Sequence, residues 1–141
     1  QKGCFEAYTS VTALIKDTKE ILKDYPNSIL YEMTDNDLSK INGKMICEAY
    51  QKKDEAATEA FDRYVMFLSE GLLSFMNIFR MDAILLGGGL AESGETLLGP
   101  VREYCEKRNY GFGKAPKVEI QKATLGNKAG ILGAASLLFE S

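Results

Sequence analysis

The sequence lacks histidine altogether and contains only three cysteines in 141 residues. Without histidine there is no Ser-His or Cys-His pair for nucleophilic catalysis and no imidazole ligand for a metal. Cys4, Cys47 and Cys105 lie far apart and form no CxxC pair. Their odd number and wide spacing do not describe a disulfide framework, and they favour a reducing, cytoplasmic setting. Any chemistry in this chain therefore rests on carboxylates, hydroxyls and backbone amides.

The sequence also lacks an excess of basic charge and any long apolar run. A formal net charge of −3 gives no electrostatic argument for nucleic acid or an anionic membrane as a partner. No apolar run approaches the length that spans a bilayer. The first residues include no Met and do not resemble a signal peptide, so we expect the chain to begin within a longer protein. What is present, 45% hydrophobic and 26% charged residues, is ordinary for one globular domain.

The first eighty residues have apolar positions spaced mainly for helices. The spacing predicts a single helix over residues 5–22, followed by a short segment, 28–33, that is β-prone but ambiguous. A second helix begins at a cap provided by Asp35 or Asn36 and ends near residue 52, with Gly43 in its interior. The longest helix is predicted from a cap at Asp54 to about residue 79, with a wide apolar face.

After the long helix the pattern changes to strand spacing. A continuous apolar run, 83–86, predicts a strand that is buried on both faces. A helix over 93–108 follows, in which Pro100 predicts a kink or a division into two pieces. An alternating segment, 117–122, predicts a second strand, so the three elements form a parallel, right-handed βαβ unit. An Ala- and Leu-rich helix is expected over 129–139.

Gly87, Gly88 and Gly89 directly follow the predicted strand. Because glycine has no Cβ, the backbone there can adopt positive φ and approach a ligand closely. In open α/β sheets, ligands bind beyond the carboxyl ends of the strands. A nucleotide cradle is therefore one interpretation, and a tight strand-to-helix turn that binds nothing is the other. Neither a GxxxxGK[ST] nor a GxGxxG motif is present to decide between them.

Three segments together resemble, in order and spacing, the carboxyl-terminal part of the ROK family of sugar kinases and repressors. They are GCFEAYTSVTAL (3–14), ILLGGGLAESGETLLGPVRE (84–103) and LGNKAGILGAASLL (125–138). Residues 1–6 match the last six positions of the family's CxCGxxGCxE motif, so we expect the chain to begin inside that motif. The resemblance covers essentially the whole chain. It implies an α/β fold, the actin-like, ribonuclease-H-like ATPase fold of hexokinases, with 1–141 as a helix-rich carboxyl-terminal lobe whose last helix packs towards an amino-terminal lobe.

The resemblance also implies roles for individual residues. Glu6 would hydrogen-bond the hydroxyl groups of a sugar. The backbone of Gly87, Gly88 and Gly89, with Leu90, would face the ribose and α-phosphate of ATP, which carries Mg²⁺. From the residues alone, Glu6 can also be a first-turn carboxylate that favours the helix macrodipole.

Cys4 resembles the last cysteine ligand of the family's structural zinc site. The resemblance implies two further cysteines and a histidine as its partners, and none of these is present in the chain. One thiolate is far short of a four-ligand site, so the zinc site is incomplete here. From the residues alone, Cys4 is an unpaired thiol near a terminus.

The resemblance implies a parent enzyme that phosphorylates a hexose, glucose first, at its 6-hydroxyl, using ATP, and that forms a homodimer in the cytoplasm. The catalytic aspartate and the phosphate-binding loop of such kinases would precede residue 1. We therefore assign no catalytic residue in this chain and expect residues 1–141 to be inactive alone. Two alternatives stay open, a sugar-responsive transcriptional repressor of the same family and a structural oligomerisation module. The sequence that precedes residue 1 would distinguish the three.

Overall fold

Helices make up most of the fold in this computed structural model, which describes residues 3–79, 81–109 and 117–125. The helices are α1 (Glu6–Thr9), α2 (Val11–Ile21), α3 (Ile29–Met33), α4 (Gly43–Gln51), α5 (Glu55–Ile78) and α6 (Glu95–Arg108). Short 3-10 helices occupy Leu22–Asp24, Leu38–Lys40 and Gly89–Ser93. Two strands, β1 (Ala83–Leu86) and β2 (Glu119–Lys122), form a parallel sheet. The helix predicted over 129–139 lies outside the described residues.

The central helix α5 begins where the sequence predicts. The Asp54 carboxylate accepts a hydrogen bond from the Ala57 amide at 2.9 Å, which confirms its prediction as the cap. The same carboxylate accepts from the Ser28 hydroxyl and from the Ile29 amide, both at 2.9 Å. One nearly buried side chain therefore fixes the start of α3 against the start of α5.

The core forms around α5, on which α1, α2, α4 and α6 pack. Phe61 is fully buried, and its ring centroid lies 4.5 Å from that of Tyr50 on α4. Burial of such a side chain stabilises the fold by roughly 1.5–3 kcal/mol. Tyr64 donates a hydrogen bond to the Thr9 carbonyl at 2.8 Å, and burial raises the pKa of Tyr64 to about 12, so its hydroxyl stays protonated. These contacts attach α4 and the end of α1 to one side of α5.

The continuous helix predicted over residues 5–22 is wrong at Ser10. Ser10 has an extended backbone with φ −82° and ψ 157°, and its hydroxyl accepts a hydrogen bond from the Ala13 amide at 3.1 Å. Serine competes in this way with helical backbone bonds and favours caps. The helical spacing of apolar residues continues through Ser10, but the chain forms two helices, α1 and α2, on either side of it. Serine capping also explains the ambiguous segment 28–33. The Ser28 hydroxyl accepts a hydrogen bond from the Leu30 amide, and the segment continues as the helix α3.

The cap predicted for the next helix is also wrong. Asp35 and Asn36 both have positive φ, 54° and 60°, and belong to the turn that follows α3. Asn42 caps α4 instead, with its side-chain oxygen accepting from the Met45 amide at 3.1 Å. Gly43 is therefore the first residue of α4 and not an interior one. A Cβ on Gly43 would lie 3.1 Å from Val11 and 3.2 Å from Leu90, so glycine lets α4 approach both segments closely.

The parallel pairing of β1 and β2 is as predicted, with Ala83 opposite Glu119 and Leu86 opposite Lys122. The prediction that β1 is buried on both faces is wrong in this chain. Leu85 is 63% exposed, whereas Leu86 packs against the core from the other face. The described part of the chain therefore leaves the apolar side chain of Leu85 largely uncovered.

In the described part of the connection between the strands, α6 follows the 3-10 helix Gly89–Ser93. α6 begins at Glu95 and continues through Pro100 to Arg108, so the predicted division into two pieces is wrong. Proline removes one backbone hydrogen bond, but α6 also buries an apolar face that includes Leu97, Val101 and Cys105. Burial of that face holds the helix together across the missing bond. None of the helices in the described ranges is long and apolar enough to cross a membrane.

Candidate functional site

The turn that follows β1 has a backbone that only glycine adopts readily. We call residues 87–90 the glycine turn. Gly88 has φ 96° and ψ 172°, a region essentially restricted to glycine. No atom would lie within 4 Å of a Cβ built on Gly88 or on Gly89. Leu90, in contrast, is buried in the core. The turn is thus anchored by its last side chain and leaves open space beside Gly88 and Gly89.

A cavity of about 380 Å³ lies between the glycine turn and α4. This volume falls in the range of small-molecule pockets. Its lining comes from the two segments: Gly43, Lys44, Cys47, Glu48 and Gln51 on the α4 side, and Gly89, Leu90, Glu92 and Ser93 on the other. A larger cavity, about 450 Å³, lies between α6 and β2, away from the glycine turn. We take the cavity of about 380 Å³ as the candidate site because Gly89 and Leu90 of the glycine turn line it.

The cavity combines an apolar wall with paired charges. Burial raises the pKa of the Cys47 thiol, which is therefore neutral near pH 7 and serves with Leu90 as an apolar surface. Lys44 lies 3.8 Å from Glu48 on the same helix, and Glu92 is paired with a lysine at the end of β2. No described lining residue is placed as a nucleophile or general base. The arrangement suits a ligand that packs on this apolar surface and presents polar groups to the charged side chains.

Glu6 lies in the first turn of α1, with its side chain exposed. The neighbouring Phe5 holds this turn on α5, because its ring lies directly over Gly71, where any Cβ would overlap it. The same ring meets Phe75 edge-on, with centroids 5.8 Å apart. The short helix α1 is therefore fixed to α5, and its carboxylate remains available for a ligand.

Cys4 is exposed at the start of the described chain. Within residues 3–79, 81–109 and 117–125, no group of three or more His, Cys, Asp or Glu side chains is arranged to hold a metal ion. The donors in this part of the protein therefore do not fit a four-ligand zinc site.

The structure brings together the four residues of the glycine turn, but it places Glu6 and Cys4 elsewhere. α1 packs on α2 and α5, whereas the segment after β1 packs on α4 and α6. The α4 side of the cavity was not predicted from the sequence. Gly43 carried the available signal, since a glycine within a helical pattern can mark a close approach by another segment.

Comparisons with known proteins identify the family. The family model of the ROK family matches residues 1–141. The chain belongs to the ROK family. A glucokinase from Thermotoga maritima is 32% identical over 143 residues, which cover 99% of this chain and 43% of that protein. A xylose repressor from Bacillus spizizenii is 29% identical over 142 residues, 99% of this chain and 32% of the repressor.

A solved structure shows the fold. The crystal structure of a ROK family glucokinase from Streptomyces griseus, in complex with glucose and AMPPNP, matches with a TM-score of 0.87 and 32% identity. The match covers 97% of this chain and 45% of that chain. The predicted family and the predicted actin-like ATPase fold are both confirmed. The chain spans less than half the length of these ROK relatives.

Proposed function

We propose that this chain is the carboxyl-terminal lobe of a cytoplasmic ROK-family kinase that transfers the γ-phosphoryl group of ATP to the 6-hydroxyl of a hexose, with glucose as the first candidate. The observation that carries the proposal is its close structural match to a glucokinase crystallised with glucose and AMPPNP. The open, glycine-restricted backbone at Gly88 supports it independently, because it provides room for a ligand at the carboxyl end of β1.

In this proposal the glycine turn and the adjoining cavity bind the nucleotide. The backbone of residues 87–89 lies against the ribose and α-phosphate, where the absence of Cβ atoms permits close approach. The adenine ring enters the cavity and packs on Leu90 and Cys47. ATP arrives with Mg²⁺, which offsets part of the phosphate charge. The lobe thus fixes one end of the phosphoryl donor.

Glu6 binds the sugar in the same proposal. An ionised carboxylate accepts hydrogen bonds from hydroxyl groups, and such charge-assisted bonds are stronger than neutral ones. The packing of Phe5 on Gly71 positions Glu6, so the sugar is held by an element that cannot easily shift. Phosphoryl transfer relies mainly on positioning and electrostatic stabilisation. This lobe supplies positioning, and we assign the proton acceptor and the phosphate-binding loop to the rest of the enzyme.

The same lobe takes part in assembly in this proposal. We expect a homodimer, and we expect Cys4 to be one ligand of a structural zinc whose other ligands lie outside residues 1–141. A sugar-responsive repressor is the second candidate, because a xylose repressor matches nearly the same residues. In the proposal, a kinase and a repressor would share this lobe and differ in the rest of the protein.

A coupled assay of sugar phosphorylation distinguishes the kinase from the repressor. The full-length protein should phosphorylate glucose with Mg²⁺-ATP at a rate on the order of 10 per second. Mannose, fructose and xylose serve as competing substrates, and residues 1–141 alone should show no turnover. A full-length protein that phosphorylates none of these sugars, but binds DNA in a sugar-dependent manner, would contradict the kinase proposal and support the repressor.

A further inference from the structure

An ion pair joins the end of β2 to the segment that follows the glycine turn. The Lys122 ammonium lies 2.5 Å from a carboxylate oxygen of Glu92, although the two residues are 30 positions apart. Lys122 is the last residue of β2 and lies opposite Leu86, the last residue of β1. Glu92 belongs to the 3-10 helix Gly89–Ser93 and lines the cavity beside the turn. The pair therefore stands where both strands end and the candidate site begins.

We propose that Lys122 is a positioning residue that neutralises Glu92 and so allows a polyanionic ligand to bind at the glycine turn. The inference rests on the proposed function, in which residues 87–90 bind a nucleoside triphosphate. Glu92 follows Leu90 by two positions and lines the same cavity. Without its lysine, this carboxylate would be an uncompensated negative charge in the cavity beside the turn, and it would repel the phosphates of a bound nucleotide at short range.

The other charges of the cavity are already balanced. Lys44 and Glu48 pair with each other on α4, and the remaining described lining residues carry no charge at neutral pH. With Lys122 in place the cavity and its rim have no net charge. Removal of the Lys122 charge changes this net charge to −1, removal of the Glu92 charge changes it to +1, and removal of both restores zero. Three variants thus give three different expected effects on an anionic ligand.

The ion pair is partly exposed, with side-chain exposures of 38% for Lys122 and 60% for Glu92. Exposed pairs contribute little to folding stability, so variants at these positions should keep the fold. Lys117 offers a matched control, because it pairs with Glu106 at 3.2 Å and lies before β2, at the opposite end of that strand. Lys117→Met removes the same charge from the chain at a distance from the turn.

Calorimetric titration of the full-length protein with ATP and with adenosine tests the inference. Lys122→Met should raise the Kd for ATP about three- to tenfold at low salt, and high salt should reduce this effect. Adenosine carries no phosphate charge, so its Kd should not change. Glu92→Gln should not raise the Kd for ATP. The double variant should have a Kd for ATP within about twofold of the wild-type value. Lys117→Met should behave as the wild type.

The outcomes separate this inference from the proposed function. If the wild type binds ATP and Lys122→Met binds it equally well, neutralisation is wrong and the nucleotide site stands. If Lys122→Met weakens ATP and adenosine by the same factor, or the double variant fails to recover, the lysine acts only through structure and the inference is overturned. A wild type that binds neither ligand contradicts both proposals.

Discussion

Replacement of Gly88 by valine should weaken ATP binding to the full-length protein by about tenfold or more. Gly88 has φ 96° and ψ 172°, and a residue with a Cβ pays roughly 1–3 kcal/mol to hold that backbone. The open space beside it is also the space that the proposal gives to the nucleotide. The KM for the sugar should change by less than about twofold, because the proposed sugar contact at Glu6 lies on α1, away from the glycine turn.

Gly94 provides a control whose backbone also has a positive φ that disfavours any residue with a Cβ. It has φ 60° and ψ −125°, and no atom would lie within 4 Å of its Cβ. Gly94→Val should therefore reduce the denaturation midpoint about as much as Gly88→Val does. Gly94 immediately precedes α6 and lies outside the glycine turn, so its variant should keep the ATP affinity. Equal loss of ATP affinity in both variants would show that strain alone explains the effect and that the turn has no direct role.

Replacement of Glu6 by glutamine should reduce kcat/KM for glucose by about ten- to a hundredfold. A hydrogen bond to a charged group contributes roughly 1.5–3 kcal/mol, and the amide removes the charge with little change of shape. Glu6 is exposed, so the variant should unfold at the same denaturant concentration as the wild type. The KM for ATP should also stay the same, since α1 does not line the cavity that the proposal assigns to the nucleotide.

Glu20 is the matched control for Glu6. It is an exposed carboxylate on α2 that pairs with Lys23 at 2.6 Å, and Glu20→Gln should leave the kinetics unchanged. Steady-state kinetics with varied glucose and then varied ATP measure both constants for both variants. A Glu6→Gln enzyme with normal kcat/KM for glucose would remove this residue from the sugar site.

Both parts of the candidate site depend on α5. Phe5 packs on Gly71 of α5 and holds Glu6 in place, and β1 with its glycine turn follows α5 in the chain. α6 also packs on α5, and Gln51 of α4 donates a hydrogen bond to Thr96 of α6 at 2.7 Å. One long helix therefore supports both segments to which the proposal assigns the sugar and the nucleotide.

The elements that the sequence predicts well are those with strong local signals. Asp54 caps α5 because a short carboxylate reaches the free amides of the first turn, and the wide apolar face behind it requires burial. The four apolar residues of β1 and the glycines after it mark the end of that strand equally clearly. These features need no knowledge of distant parts of the chain.

The elements that were predicted wrongly depend on competition or on tertiary contacts. Ser10 divides one apolar pattern into two helices, because its hydroxyl competes with helical bonds without disturbing the spacing. The α4 side of the cavity has little local signal beyond Gly43, since Cys47 and Leu90 line the same cavity only after the chain folds. The pair of Lys122 with Glu92 has the same origin: two strand ends bring it together, and no local pattern predicts it.

The most direct test of the proposed kinase is a crystal structure of the full-length protein with glucose and AMPPNP. The proposal predicts that the nucleotide lies against residues 87–90, with its base packed on Leu90 and Cys47. It also predicts that a Glu6 carboxylate oxygen lies within hydrogen-bond distance, about 2.5–3.0 Å, of a glucose hydroxyl. A nucleotide bound away from an empty glycine turn, or a glucose that Glu6 does not contact, would contradict it.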